Sequence, residues 1–163
     1  MRITAPDLTD VKLSGATAFN TSQIAGGDLR IDISGASKME TGLMSYSQVK
    51  ASTSGACKVT ASIKADAIDL ESSGACKLTL NMEAERLKTT CSGATSSDLT
   101  LVGGSADVDC SGAGKIDLKL VDCKKLKAHN SGATKFTISG NADDTTIDAS
   151  GVAKIDTSRL NQY

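Results

Sequence analysis

Lysine recurs in this chain at a spacing that could hold an anion. Lys38, Lys58, Lys77, Lys115, Lys135 and Lys154 each stand three residues after a glycine, and only Ala18 and Ser96 interrupt the series. If those glycines mark equivalent points of a repeating fold, the six ammonium groups form one column. Stacked one repeat apart, each neighbouring pair repels by about 1 kcal/mol even in bulk water. Such a column is the chemistry of a stripe for an anionic polysaccharide. The plainer reading is a solvated surface of mixed charge that keeps exposed sheets soluble. Acidic residues support it: Glu40, Asp98, Asp117 and Asp156 lie two positions beyond lysine-column sites, and Asp32, Glu71, Asp109 and Asp148 stand three before the glycines.

Cysteine gives the next candidates. Cys57 and Cys76 are equivalent, two residues after a glycine, and Cys91 and Cys110 are equivalent, two before one. Both sites share the parity of the apolar residues, so the thiols read as small buried fillers. Stacked neighbours would also have a Cα separation compatible with a disulfide, so free thiols and inter-repeat bridges both stand as readings. Cys123 has no such partner. With no CxxC and no Cys/His cluster, no metal site and no cofactor is expected.

Catalysis has little to stand on. His129 is the only histidine, at an outward-facing position, and the arginines Arg2, Arg30, Arg86 and Arg159 are scattered. Asp143-Asp144 falls near an expected turn and reads as a solvated turn rather than a calcium site.

These residues are positioned by a repeat. Ser-Gly-Ala appears with its glycine at Gly15, Gly35, Gly55, Gly74, Gly93, Gly112 and Gly132, and Ser150-Gly151-Val152 is an eighth copy. A period of about 19–20 residues marks a solenoid, in which no single coil can bury its apolar face alone. Around each glycine the apolar residues alternate with polar ones, as in Lys115-Ile116-Asp117-Leu118-Lys119-Leu120. That is the period of strands with one buried face. Inward columns should run through Val11, Ile31, Leu70 and Val108, and through Phe19, Met39, Val59, Leu78, Ile116 and Phe136. Glycine at the sharp corner is expected where the backbone needs positive φ or a close approach, with the preceding serine bonding to the turn backbone.

Second, looser turns are expected at Gly26-Gly27-Asp28, Asp66, Gly103-Gly104-Ser105 and Gly140-Asn141-Ala142, where the one-residue variation in period would be absorbed. Helix formers in Met82-Glu83-Ala84-Glu85-Arg86-Leu87-Lys88 argue against strand there, but the Ser-Gly-Ala register arrives on schedule at both ends. The expected fold is all-β: a right-handed, single-stranded parallel β-helix of about eight coils, forming one domain over residues 1–163. Its length would be on the order of 35–40 Å.

Composition narrows the partners. The 163 residues carry 18 Lys plus Arg against 19 Asp plus Glu, which gives no bulk field for nucleic acid or an anionic membrane. Two Phe, two Tyr and no Trp leave almost no stacking platforms. No apolar run is long enough to span a membrane. Met1 leads directly into a coil-like stretch with no secretory leader, which implies either a cytoplasmic protein or a chain without its leader.

The sequence Ser111-Gly112-Ala113-Gly114-Lys115-Ile116-Asp117-Leu118, and the opening Ile3-Thr4-Ala5-Pro6-Asp7-Leu8-Thr9-Asp10-Val11-Lys12-Leu13-Ser14-Gly15-Ala16, resemble the bacterial auto-transporter adhesin head domains, the GIN-domain family. The resemblance covers the whole chain. It implies a single-stranded right-handed β-helix, export to the periplasm or cell surface, and no catalysis. The functional expectation is a non-catalytic structural or adhesive module of the bacterial envelope that binds a surface polysaccharide or a protein. The alternative is a polysaccharide-processing enzyme, a lyase or glycosidase, on a β-helix scaffold. Because few residues precede Val11, Leu13 and Phe19, the first coil is also expected to associate with another copy of the chain through its N-terminal end.

Overall fold

Alternating apolar and polar residues favour strands with one buried face, and strands are what this chain forms. The computed structural model describes residues 8–162. The strands are β1 (Asp10–Leu13), β2 (Ala16–Ala25), β3 (Asp28–Ile33), β4 (Ala36–Thr53), β5 (Ala56–Gly74), β6 (Lys77–Gly93), β7 (Ser96–Val102), β8 (Ser105–Ser150) and β9 (Lys154–Gln162). They join in one sheet in the order β1-β3-β4-β5-β6-β7-β8-β9, with β2 on β4 and a further β6–β8 pairing. Every pairing is parallel. The molecule is a parallel β-solenoid of about eight turns. Its coils are numbered 1 to 8 by their corner glycines, from Gly15 to Gly151.

The buried columns follow the expected parity. Met39, Val59 and Leu78 are register partners on successive coils, and each is buried. Ile116 and Phe136 continue that column, while Leu80, Leu99, Leu118 and Ile138 fill another. Phe19 is only partly buried. Coils 1 to 4 enclose a void of about 20 Å³ lined by apolar side chains such as Ile33, Met44 and Ala61.

The corner glycines meet two separate demands. Gly74 has φ +98°, where an L side chain is strained, and a Cβ there would lie 2.6 Å from the carbonyl oxygen of Gly55. Gly15, with no coil beneath it among the described residues, has φ +78° but open space around its missing side chain.

Three local expectations need correction. Among the described residues the hydroxyl of the serine before the glycine does not bond to its own turn. Where it bonds, it donates to the coil before, Ser34 to Leu13 O and Ser73 to Thr53 O, both at 3.5 Å. Among the described residues the second turn breaks the strand in two coils, at Gly26–Gly27 between β2 and β3 and at Gly103–Gly104 between β7 and β8. Asp66 lies inside β5, and Gly140, Asn141 and Ala142 lie inside β8. The extra residue of a longer coil is placed differently in one of two cases. The β4–β5 register shifts between Glu40 and Leu43, inside a strand, where a Cβ on Gly42 would collide with Ser22 O. In coil 6 the corner-to-corner distance is 20 residues, and the residue out of pattern is Asp122, at φ +54°; it follows Val121, the register partner of Val102, and so sits at the second turn as expected.

The helix formers from Met82 to Lys88 run as strand within β6, with Met82, Ala84 and Leu87 buried. Strand pairing on both sides outweighs their modest intrinsic preference.

Candidate binding surface

The strands that bury Met39, Val59 and Leu78 present the preceding residues to solvent, because side chains alternate across a strand. Lys38 pairs with Lys58 and Lys58 with Lys77. Lys77 then pairs with Ser96, Ser96 with Lys115, and Lys135 with Lys154. The expected column therefore exists in register, with Ala18 next to Lys38 at its start. All six lysines are exposed.

Their charges are not equally available. Lys38 Nζ lies 2.8 Å from Glu40 Oε1, and Lys115 Nζ lies 2.6 Å from Asp117 Oδ2. Those partners hold the Glu40 and Asp117 carboxyls below their ordinary values, and the Asp117 carboxylate raises Lys115. Among the described residues, Lys58, Lys77, Lys135 and Lys154 have no ion pair. Thr60, Thr79 and Thr137 stand where Glu40 and Asp117 stand beside the paired lysines. Asp156 does face Lys154's side of the column, but its Oδ1 accepts the Ser158 N–H at 3.0 Å.

A second outward column behaves differently. Lys50 pairs with Asp69, Asp69 with Lys88, and Lys88 with Asp107, so sign alternates from coil to coil. Neighbours there attract, whereas Lys58 and Lys77 repel. The lysine column is thus the one of these two that carries uncompensated charge.

Beside it, an open groove of about 340 Å³ is lined by Asp98, Thr100, Asp117, Lys119, Thr137 and Arg159, among others. Asp98 and Asp117 are register partners. A glycosidase acid needs its carboxyl pKa raised, whereas Lys115 drives that of Asp117 down. His129 faces outward, with Nδ1 3.6 Å from Asp148 Oδ2. Asp144 is engaged by Lys125 at 3.6 Å. Among the described residues no group of three or more His, Cys, Asp or Glu is arranged to hold a metal.

The cysteines are free, and all five are buried. Cys91 and Cys110 are register partners inside the corner. Contact between the thiols and burial together push the Cys110 thiol far up, while its hydrogen bond holds Cys91 down. On the other side of the corner, Cys57 donates to Ser54 O at 3.1 Å and Cys76 to Ser73 O at 3.6 Å.

Equivalent hydroxyls do the same in other coils: Thr17 to Ser14 O at 2.6 Å and Ser37 to Ser34 O at 3.0 Å. The position two after the glycine is therefore a clamp on the corner carbonyls, a role that reading cysteine as apolar filler missed. The run Thr17, Ser37, Cys57 and Cys76, all small side chains with a donor, carries that pattern in the sequence, while Thr134 donates to Gly112 O of the coil before at 3.3 Å and the buried Thr95 hydroxyl makes no such bond.

A parallel β-solenoid with serine–glycine corners and a lysine ladder on one outer face is a class of repeat scaffold, built to display columns of side chains. The family described as putative auto-transporter adhesin, head GIN domain, matches residues 1–81 and again 81–162, and the chain belongs to it. No curated protein and no solved structure matches the chain significantly. Among the described residues no helix is long and apolar enough to cross a membrane.

Proposed function

We propose that this protein is a non-catalytic adhesive module of the bacterial cell envelope, and that its lysine column holds an anionic polysaccharide. The family description supports an exported, adhesive role. The observation that carries the ligand is the in-register column with four exposed lysines that have no ion pair. A polymer with repeating charge fits an array with repeating countercharge. Nucleic acid is disfavoured by the scarcity of aromatic side chains for base stacking. The test is binding of polygalacturonate to the intact chain at several salt concentrations, against a variant with all six lysines changed to Gln. Binding that weakens with salt and is lost in the variant is expected. Equal binding by the variant overturns the reading.

Self-association is a second and separate reading. Among the described residues β1 pairs only with β3 and β2 only with β4, while Val11 and Leu13 are buried and Phe19 is partly buried at that end. Met1 to Asp7 lie outside the described residues. Light scattering over a concentration series should show association that Val11→Lys abolishes. A strictly monomeric chain at high concentration refutes it.

A further inference from the structure

The lysine column is not one continuous stripe. The family match divides the chain into two units of four coils, with corner glycines Gly15, Gly35, Gly55 and Gly74 in the first and Gly93, Gly112, Gly132 and Gly151 in the second. The first coil of each unit lacks the lysine, having Ala18 and Ser96, and among the described residues the same two coils are those that break at the second turn. The second coil of each unit has its lysine held by an acid two residues on, Lys38 by Glu40 and Lys115 by Asp117. The third and fourth coils present the lysines without ion pairs, Lys58 with Lys77 and Lys135 with Lys154. The pattern of gap, clamped lysine and two open lysines therefore occurs twice.

We infer that the column is a bivalent receptor with two subsites, Lys58/Lys77 and Lys135/Lys154, each taking adjacent carboxylates of a linear polyuronate. This rests on the polysaccharide reading above. Within a subsite the two ammonium groups belong to neighbouring strands, about 4.8 Å apart at the backbone, and so suit a chain with one charge per sugar. Hydroxyls of Thr60 and Thr79 flank the first subsite as partners for sugar hydroxyls, whereas beside the second Thr137 bonds to Asp117 and Asp156 stands next to Lys154. Four coils separate the subsites, about 19 Å along the axis. A short oligomer reaches one subsite. A longer chain reaches both, and its second contact is intramolecular, which raises affinity without any new type of contact.

The test uses the intact chain with galacturonate trimer and with polymer long enough to span both subsites, by calorimetry. Two trimers per chain are expected, and polymer binding about 100-fold tighter than trimer. Lys58→Glu with Lys77→Glu should leave one trimer site and bring the polymer's affinity down near the trimer's. Lys135→Glu with Lys154→Glu should do the same. Lys38→Gln with Glu40→Gln and Lys115→Gln with Asp117→Asn, which remove each ion pair as a neutral unit, should change affinity by less than about threefold, because ion-paired surface lysines have little left to give. Circular dichroism and melting confirm that each variant remains folded. A single trimer site, polymer affinity unmoved by either double reversal, or equal loss in the Lys38/Lys115 variant overturns the bivalent arrangement. If in those cases the six-lysine variant still abolishes polymer binding, the polysaccharide reading survives alone. Absence of any polyuronate binding overturns both.

Discussion

At the scale of single residues, the corner glycines separate conformational strain from steric conflict. Gly15→Ala meets only the left-handed backbone penalty and should cost about 1–2 kcal/mol. Gly74→Ala adds a clash with the Gly55 backbone and should cost clearly more in urea unfolding. Equal costs would mean that stacking contributes nothing. The thiols offer a second check. All five cysteines should react slowly with a thiol reagent in the native state and completely once unfolded. Cys57→Ser should cost less than Cys57→Ala, because a hydroxyl at this site can donate to Ser54 O as Ser37 donates to Ser34 O.

The clamped carboxylates add a pH dependence. Glu40 and Asp117 have lowered values in the folded chain, so their contribution is present above the ordinary carboxylate range, about pH 4, and is lost as pH falls through the lowered values. In a carboxyl NMR titration, Lys38→Gln should move Glu40 back up. An unmoved Glu40 would show that the short ion pair is not maintained in solution.

At the scale of elements, the solenoid tolerates unequal coils both by a bulge inside a strand and by an extra residue at the second turn. Gly42 and Asp122 mark two such places, and they differ in kind. Gly42 is needed because the Ser22 carbonyl sits where a side chain would be. Asp122 occupies left-handed backbone that Asp tolerates and a β-branched residue does not. Asp122→Gly should therefore stabilise by up to about 1 kcal/mol, and Asp122→Val should destabilise by more than that. Thermal melts of the pair decide it, and the same sign for both would refute the strain argument. The following residue, Cys123, is tied to Gly104 O and Lys125 O at 3.3 Å, which anchors this irregular stretch to the coil before it.

At the scale of the whole molecule, each coil owes its stability to its neighbours, as in any one-dimensional repeat array. Damage should therefore depend on position. Leu87 is fully buried with strands on both sides, and Leu87→Ala should cost about 2–5 kcal/mol. Val152 is 85% exposed in the last coil, and Val152→Ala should fall within about 0.5 kcal/mol of the parent. Denaturant curves showing comparable losses at both sites would contradict the stacked-coil account. The outer surface obeys a different logic from the core. From Lys50 to Asp107 one column alternates sign between coils, while the lysine column keeps one sign and stores repulsion that a polyanion would relieve.

The sequence by itself determined the coil number, the buried parity and the register. Eight serine–glycine corners at a near-constant period leave a strand only one way to place Met39, Val59 and Leu78 inside while Lys38, Lys58 and Lys77 stay outside. A shift of one residue would turn every apolar group to solvent, so the pattern alone fixes the pairing. Which lysines are open could not be read that way. Glu40 and Asp156 both stand two residues after a lysine, yet Glu40 binds Lys38 whereas Asp156 turns to the Ser158 N–H. The sequence also did not show that the corner serines reach back a coil, or that Cys57 and Cys76 clamp the turn. Those outcomes depend on which donor lies within about 3.5 Å after the coils stack, a distance set by the tertiary structure rather than by residue type.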